Sequence, residues 1–382
     1  MKKTHLLILL ISLFTSQLVM AQEEAESSPV SISGSVDAYY RTNFNAPNKG
    51  EFAQAPGTSF ANLPGFALGM ANIITTYEGE KVGFVADLVF GPRGADAVFL
   101  STGSANIVNQ LYMYWTVNDA LTLTIGNFNT YLGYEVISPT GNFNYSTSYM
   151  FSSGPFSHTG LRADISLSDN WSLMASVMNP TDYTDFNPLG TYTAGLQLGY
   201  ENEGGGTWLN FLYGDQDGKL DEDYGLSTGE SSGGTTFQVD LTTGYNVTES
   251  VYLGLNTTYL TTSAGEFYDG STIRDADGDA AGFYGVAGYV QATASEKFGI
   301  GARAEYFSIF NDGGSAIATD PTNGDGNVLA VTLSGNIKPA GNLTLIPELR
   351  FDTASEASSF INRSLNPSKS LASFLLAAVF SF

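Results

Sequence analysis

Ser370-Leu371-Ala372-Ser373-Phe374-Leu375-Leu376-Ala377-Ala378-Val379-Phe380-Ser381-Phe382 closes the chain. Ala372, Phe374, Leu376, Ala378, Phe380 and Phe382 alternate with their neighbours, so in an extended segment they share one face. A strand with lipid on one side and water on the other must read this way, and an aromatic-rich last strand ending on Phe is how an outer-membrane β-barrel presents itself. Phe380 and Phe382 are read as an assembly signal, which makes the barrel-assembly machinery an expected partner.

The other end of the chain supplies an export signal. Lys2 and Lys3 precede an apolar stretch from Leu6 to Phe14, and Val19-Met20-Ala21 leads to a cut after Ala21. A basic end, an apolar core and small residues before the cut make residues 1–21 a secretory signal peptide. The apolar run is too short for a spanning helix, which takes about 20 residues. Residues 22–30 then read as a periplasmic spacer and 31–382 as the barrel. The 382 residues include no Cys, which leaves neither a lipid-attachment site nor a disulfide framework.

Charge is sharply acidic: 15 basic and 38 acidic residues give −23, about −25 once Lys2 and Lys3 leave with the signal. That excludes nucleic acid as a partner, since phosphate contacts need clustered Lys and Arg. The 43 glycines, 21 tyrosines and 25 phenylalanines are spread evenly rather than gathered into domains. Barrels use such aromatics for interfacial girdles and such glycines for crowded or bent strands.

The alternation of the last strand recurs along the chain. Ser31 to Arg41 sets Ile32, Val36, Ala38 and Tyr40 opposite Ser33, Ser35, Asp37 and Tyr39. A tight Glu78-Gly79-Glu80 turn joins strands near 66–78 and 81–90, and the second puts Val82, Phe84, Ala86, Leu88 and Phe90 on one face. Similar couplets turn at 118–120, 168–170, 203–206, 247–250, 293–297 and 338–342, where Asn, Asp and Gly supply the positive φ of tight hairpins. Between couplets run long polar connections near 42–65, 91–106, 128–157, 179–190, 214–234, 263–282, 308–326 and 353–369. Short turns alternating with long loops predict an all-β, antiparallel up-and-down barrel of about 16 strands with both termini in the periplasm; 14 or 18 strands stay open. A soluble sandwich of this length would split into domains, and no linker is present. A solenoid would need a fixed short repeat, which the couplets lack.

Charges mark the face opposite the apolar residues. Asp37 and Arg41, Lys81 and Asp87, Arg162 and Asp164, Arg303 and Glu305, then Glu348, Arg350 and Asp352 all fall there at strand depth. An ionised side chain costs about 2–4 kcal/mol at the membrane midplane, so these must face the lumen. Mixed charge around a lumen implies water, and the set is expected to line or constrict a pore. The bland alternative is that they pair off and brace a closed barrel. It is weak at this size, because side chains fill only barrels of about eight strands.

The connection from Phe128 to Ser157 differs from the others. Gly141-Asn142-Phe143-Asn144-Tyr145-Ser146-Thr147-Ser148-Tyr149-Met150-Phe151 is aromatic and uncharged. Exposed, it would be a sticky patch; folded inward against the wall it would narrow the pore. Asn144, Tyr145, Ser146, Phe151, Pro155, Phe156, His158, Thr159, Gly160 and Arg162 together resemble a motif of the OmpL-like β-barrel porins of Gram-negative bacteria. The resemblance implies an outer-membrane location and passive transport, with no defined substrate. Thr147 departs from it, an Arg being the residue the resemblance implies there, which removes the ground for a shared anion-attracting role.

Other chemistries are less well supported. Asp215, Asp217, Asp221 and Asp223, and in the next loop Asp275, Asp277 and Asp279, could wrap Ca²⁺ with alternating carboxylates, but the first set lacks the spaced Glu of an EF-hand. Solvated acidic loops are commoner, and such carboxylates would equally suit divalent bridging to lipopolysaccharide. A hydrolase would need a base, and after the signal only His158 remains, beside Ser146, Ser157 and Asp164. At the opening of a strand His158 is better suited to tying the loop to the wall. The expectation is a pore for small hydrophilic solutes, weakly cation-preferring, without cofactor or catalysis. A plugged barrel serving as surface adhesin or structural anchor is the alternative. Nothing marks a subunit interface, so a homo-oligomer is left open.

Overall fold

Each couplet read from the sequence folds as an antiparallel hairpin, and sixteen strands close on themselves. The computed structural model describes residues 29–216, 235–262 and 280–382. The signal peptide, most of the spacer, and Asp217, Asp221, Asp223, Asp275, Asp277 and Asp279 lie outside the described residues.

The first eight strands are β1 (Val30–Asn43), β2 (Gly65–Glu78), β3 (Val82–Phe90), β4 (Val108–Asn118), β5 (Leu121–Asn129), β6 (Ser157–Ser166), β7 (Trp171–Met178) and β8 (Thr193–Asn202). They continue as β9 (Gly205–Gly214), β10 (Thr236–Asn246), β11 (Val251–Thr262), β12 (Ala281–Ser295), β13 (Phe298–Phe310), β14 (Gly326–Ala340) and β15 (Leu343–Ala354). A small hairpin, β16 (Phe360–Ile361) and β17 (Pro367–Ser368), decorates the last loop before β18 (Ser370–Ser381) completes the wall. Every barrel strand pairs with its sequence neighbours, and β18 pairs with β1.

Closure is where the terminal residue acts. Val36 stands opposite Phe380, Ala38 opposite Ala378 and Tyr40 opposite Leu376. The backbone of Phe382 exchanges two 3.0 Å hydrogen bonds with Gly34, so the chain end satisfies an edge of β1 that would otherwise be open.

The outward face is apolar, as lipid requires. Phe66 is 91% exposed, Leu68 68%, Met113 62% and Val177 58%, so most of each side chain faces away from the protein. Aromatic pairs band both rims: Tyr77 stacks on Phe84 and Trp171 packs on Tyr200 near the turns, while Tyr40 with Phe66 and Tyr259 with Phe310 do so near the loops. No described helix is long and apolar enough to cross a membrane; the wall crosses with strands.

The inward face departs from a simple polar lining. Leu371, Leu375, Ala377 and Val379 of β18 point inward and are buried, as are Phe283, Ala287, Phe307, Ile309, Val328 and Ala330 on β12 to β14. Stretches of these strands are apolar on both faces, and something inside the barrel must cover them.

Candidate functional site: a loop across the lumen

What covers them is the β5–β6 connection, residues 130–156. Its aromatic side chains enter three buried clusters with the wall. Tyr149 and Met150 pack with Phe283, Phe307 and Ile309; Tyr145 packs with Tyr39, Ile346 and Leu375; Phe151 and Phe156 pack with Phe60, Met70 and Val89. Fully burying one such side chain stabilises by about 1.5–3 kcal/mol, which is the drive for the inward fold. A single helical turn, α2 (Tyr149–Ser153), sits at its centre, capped by Ser148 Oγ accepting from the Phe151 N–H at 3.1 Å.

A loop so buried must satisfy its backbone, and the wall charges do that. Glu305 accepts from the N–H groups of Tyr149 (2.9 Å) and Met150 (2.8 Å). Glu348 accepts from Tyr145 N–H at 3.0 Å and from Ser334 Oγ at 2.9 Å, while Ser334 in turn takes the Asn144 amide at 2.7 Å. Arg303 donates to the carbonyls of Ser146 (2.8 Å) and Thr147 (3.2 Å), and pairs with Glu135 of the loop. Arg350 donates to the Thr147 carbonyl at 2.8 Å and is held by Asp352 at 2.9 Å. The two guanidinium groups thus converge on Thr147, where the family resemblance implied an Arg. Asp37 accepts from the Met70 N–H at 3.0 Å and from the Tyr145 hydroxyl.

The remaining expected residues fall in different places. Arg41 ties down the β1–β2 loop through the Gln54 carbonyl at 2.9 Å. Asp87 is held by the amides of Asn72 (3.2 Å) and Asn109 (2.6 Å), with no cation beside it. Lys81 is a correction: it lies in the turn before β3 and is exposed, because β3 begins only at Val82. Arg162 and Asp164 pair at 2.9 Å and keep 21% and 31% of their side chains exposed, on the periplasmic side of the loop.

The motif residues form the loop's second root. His158 Nε2 meets Thr130 Oγ1 at 3.0 Å, tying both ends of the loop, and the ring is wholly buried. Thr159 Oγ1 lies 3.0 Å from both Asn127 Oδ1 and the Thr184 carbonyl, which share its one proton. A Cβ on Gly160 would strike the β7 backbone at Val177 and Met178. Pro155 and Phe156 are buried beside them. Just outside the barrel, Asp182 accepts from the N–H groups of Phe156 (2.7 Å) and Ser157 (3.0 Å). That residue as a whole is only half-buried, but its carboxyl is enclosed, and the loss of water pushes its pKa up from 3.8 to about 6.

Sequence reasoning missed four members of this arrangement. Arg93, in the short helix α1 (Pro92–Ala97), donates to the carbonyls of Ile137 (2.7 Å) and Tyr145 (3.2 Å) and lies over the Phe60 ring. Glu135 and Asp182 sit in loops where nothing local sets them apart. Asp240, which takes the Gly133 N–H at 3.0 Å, could have been found, since it stands between Val239 and Leu241 on a strand that alternates.

Of the charges expected to face water, those on β1, β13 and β15 are buried instead. Arg303 and Glu305 are 0% exposed, Asp352 1%, Glu348 and Arg350 2%, and Asp37 3%. Between Arg41, Phe60, Ser146, Glu348 and Arg350 remains a cavity of about 10 Å³, room for one water at most. The far wall is equally dry: Phe128 on β5, His158 on β6, Met178 on β7 and Leu212 on β9 are no more than 2% exposed. At the height of the loop these lining side chains are buried. Asp215 is buried, and among the described residues no three His, Asp or Glu gather as a metal site.

A sixteen-stranded barrel with a loop folded into its lumen defines an outer-membrane channel of the porin class. The family model described as "Putative beta-barrel porin-2, OmpL-like" matches residues 29–382, and the chain belongs to that family. Nothing among curated proteins matches it. Solved structures share the fold at low identity. An anion-selective porin from Comamonas acidovorans is 10% identical with a TM-score of 0.58, covering 92% of this chain and 99% of its own. The outer membrane channel DcaP of Acinetobacter baumannii is 14% identical with a TM-score of 0.55, over 95% and 100%. In-vitro folded OmpT, an outer membrane protein of Vibrio cholerae, is 12% identical with a TM-score of 0.55, over 94% and 99%. Family and fold point to a channel rather than a catalyst.

Proposed function

We propose that this protein is a diffusion channel of the outer membrane for small hydrophilic solutes, and that residues 130–156 are its gate. One observation carries the reading: wall and loop are joined across the lumen by hydrogen bonds and packing, with no covalent tie. Glu305, Glu348, Arg303 and Arg350 hold the loop by its backbone, so each bond can be exchanged for water if the loop withdraws. Conduction then follows the fraction of time the loop is displaced.

The complete burial of those charges favours one rival, a permanently plugged barrel that anchors or adheres. Planar-bilayer recording separates the two. A gated channel shows discrete openings, and a variant lacking residues 143–153 conducts more than the intact protein. Silence from both proteins, each confirmed as assembled by its heat-dependent gel mobility, would establish the plugged anchor.

A further inference from the structure

Gly206 on β9, Gly244 on β10 and Gly254 on β11 stand directly opposite one another across two strand pairs. Their missing side chains leave a trough in the inner wall, on the periplasmic side of the loop. Aromatic rings occupy it. The six-membered ring of Trp208 covers Gly206, the hydroxyl end of Tyr252 covers Gly244, and Tyr134, from the loop, covers Gly254. A Cβ on any of the three would collide with the ring above it. Tyr252 lies beside Tyr134, and Tyr134 stacks on Tyr289 with centroids 4.0 Å apart and planes 19° from parallel. The rim of this strip is polar: Glu201 lies beside Trp208, and Gln291 reaches the Tyr134 hydroxyl at 3.4 Å.

Packing of the gate does not account for the strip. Trp208 and Tyr252 belong to the wall, and both, with Tyr134, leave part of their surface open. The other two tryptophans, Trp115 and Trp171, face lipid, at 50% and 45% exposure.

We propose that the strip is a binding site for a pyranose sugar. The partly open rings of Trp208, Tyr252 and Tyr134 line the trough, and aromatic rings pack on the C–H face of a sugar ring. The hydroxyl, amide and carboxyl groups at the rim match its hydroxyls, giving the largely apolar surface with few polar groups that small-molecule sites have. The ion pair that remains open to water on this side, Arg162 with Asp164 at 2.9 Å, is neutralised internally, which favours an uncharged solute. The sugar site relies on the channel reading only for how sugar arrives, not for its binding.

Trp208 is the reporter. In the Trp115→Phe, Trp171→Phe protein, purified in detergent, emission comes from Trp208 alone. Titration with glucose or maltose should change it saturably, whereas sorbitol, an acyclic polyol with no ring face, should not. Tyr252→Ala should weaken the response about tenfold, the loss of one stacked ring. Saturation-transfer NMR on the unmodified protein, irradiating aromatic protons, should mark the sugar C–H groups and needs no variant. An unresponsive Trp208 with no transferred saturation, or an equal response to sorbitol, would overturn the site. Neither measurement involves conductance, so the site can fail while the channel stands, and the reverse.

Discussion

Single residues hold the β5–β6 loop, and two of them make contrasting predictions. Glu305 spans two adjacent backbone N–H groups at the head of α2. Glu305→Gln keeps the shape but offers one acceptor oxygen and no charge, leaving a buried donor short. Such a loss costs about 1–3 kcal/mol, so the open probability in bilayers should rise roughly tenfold or more. An unchanged open probability would show that packing, not this carboxylate, keeps the loop shut. Asp182 acts oppositely. Its carboxyl, at about 6 against an ordinary 3.8, binds protons more readily in the fold than in the unfolded chain. Stability from this group is therefore greatest below about pH 4 and falls as pH rises to about 6. Asp182→Asn retains an acceptor and suits the positive φ of 68° at that position. Denaturant unfolding in detergent should find the variant more stable than wild type above pH 6 and equal to it near pH 4; a pH-independent difference would remove the carboxyl as its cause.

At the scale of elements, the loop and the inner wall explain each other. β18 carries Leu375, Ala377 and Val379 inward, and the loop answers with Tyr145; β12 and β13 carry Phe283 and Phe307, and it answers with Tyr149. The inward fold was legible in the loop's uncharged aromatic run. Its tightness was not, because burial of Arg303 and Glu305 depends on Ser146 to Met150 arriving from more than 150 residues away in sequence. Deleting residues 143–153 removes Tyr145 and Tyr149 together with the backbone groups the wall grips. The assembled variant should show larger and longer openings than wild type. Equal conductance would mean that the path for solutes bypasses this element.

For the whole molecule, assembly and charge are the testable properties. Phe382 satisfies the edge of β1 through both of its backbone hydrogen bonds with Gly34. Removing it should lower the amount of heat-modifiable barrel in the outer membrane, and normal levels would leave closure to the rest of β18. The outer loops 214–234, 263–282 and 308–326 hold 14 acidic residues against Lys219 and Arg274. With these loops at the external mouth, as the alternation of turns and loops predicts, that surplus is expected to set a negative potential there and to concentrate cations. Reversal potentials in a salt gradient should show weak cation preference that fades with rising salt, as screening over about 8 Å at physiological strength requires. Anion preference at low salt would put control with Arg303 and Arg350 once the gate opens.

The sequence alone determined the architecture: an up-and-down barrel of about sixteen strands, the order of turns and loops, and the lipid face all follow from alternation, while the structure fixed the strand number at sixteen and placed Phe382 against β1. Alternation is a local property, imposed on each strand by two solvents, and it can be read without knowing any partner. Only the tertiary structure decided what the inward charges do. Alternation states that Arg303, Glu305, Glu348 and Arg350 point away from lipid, but not whether water or protein lies there. That depends on which distant backbone groups come within about 3 Å, and one loop crossing the lumen turned a charged lining into the grip on a buried loop.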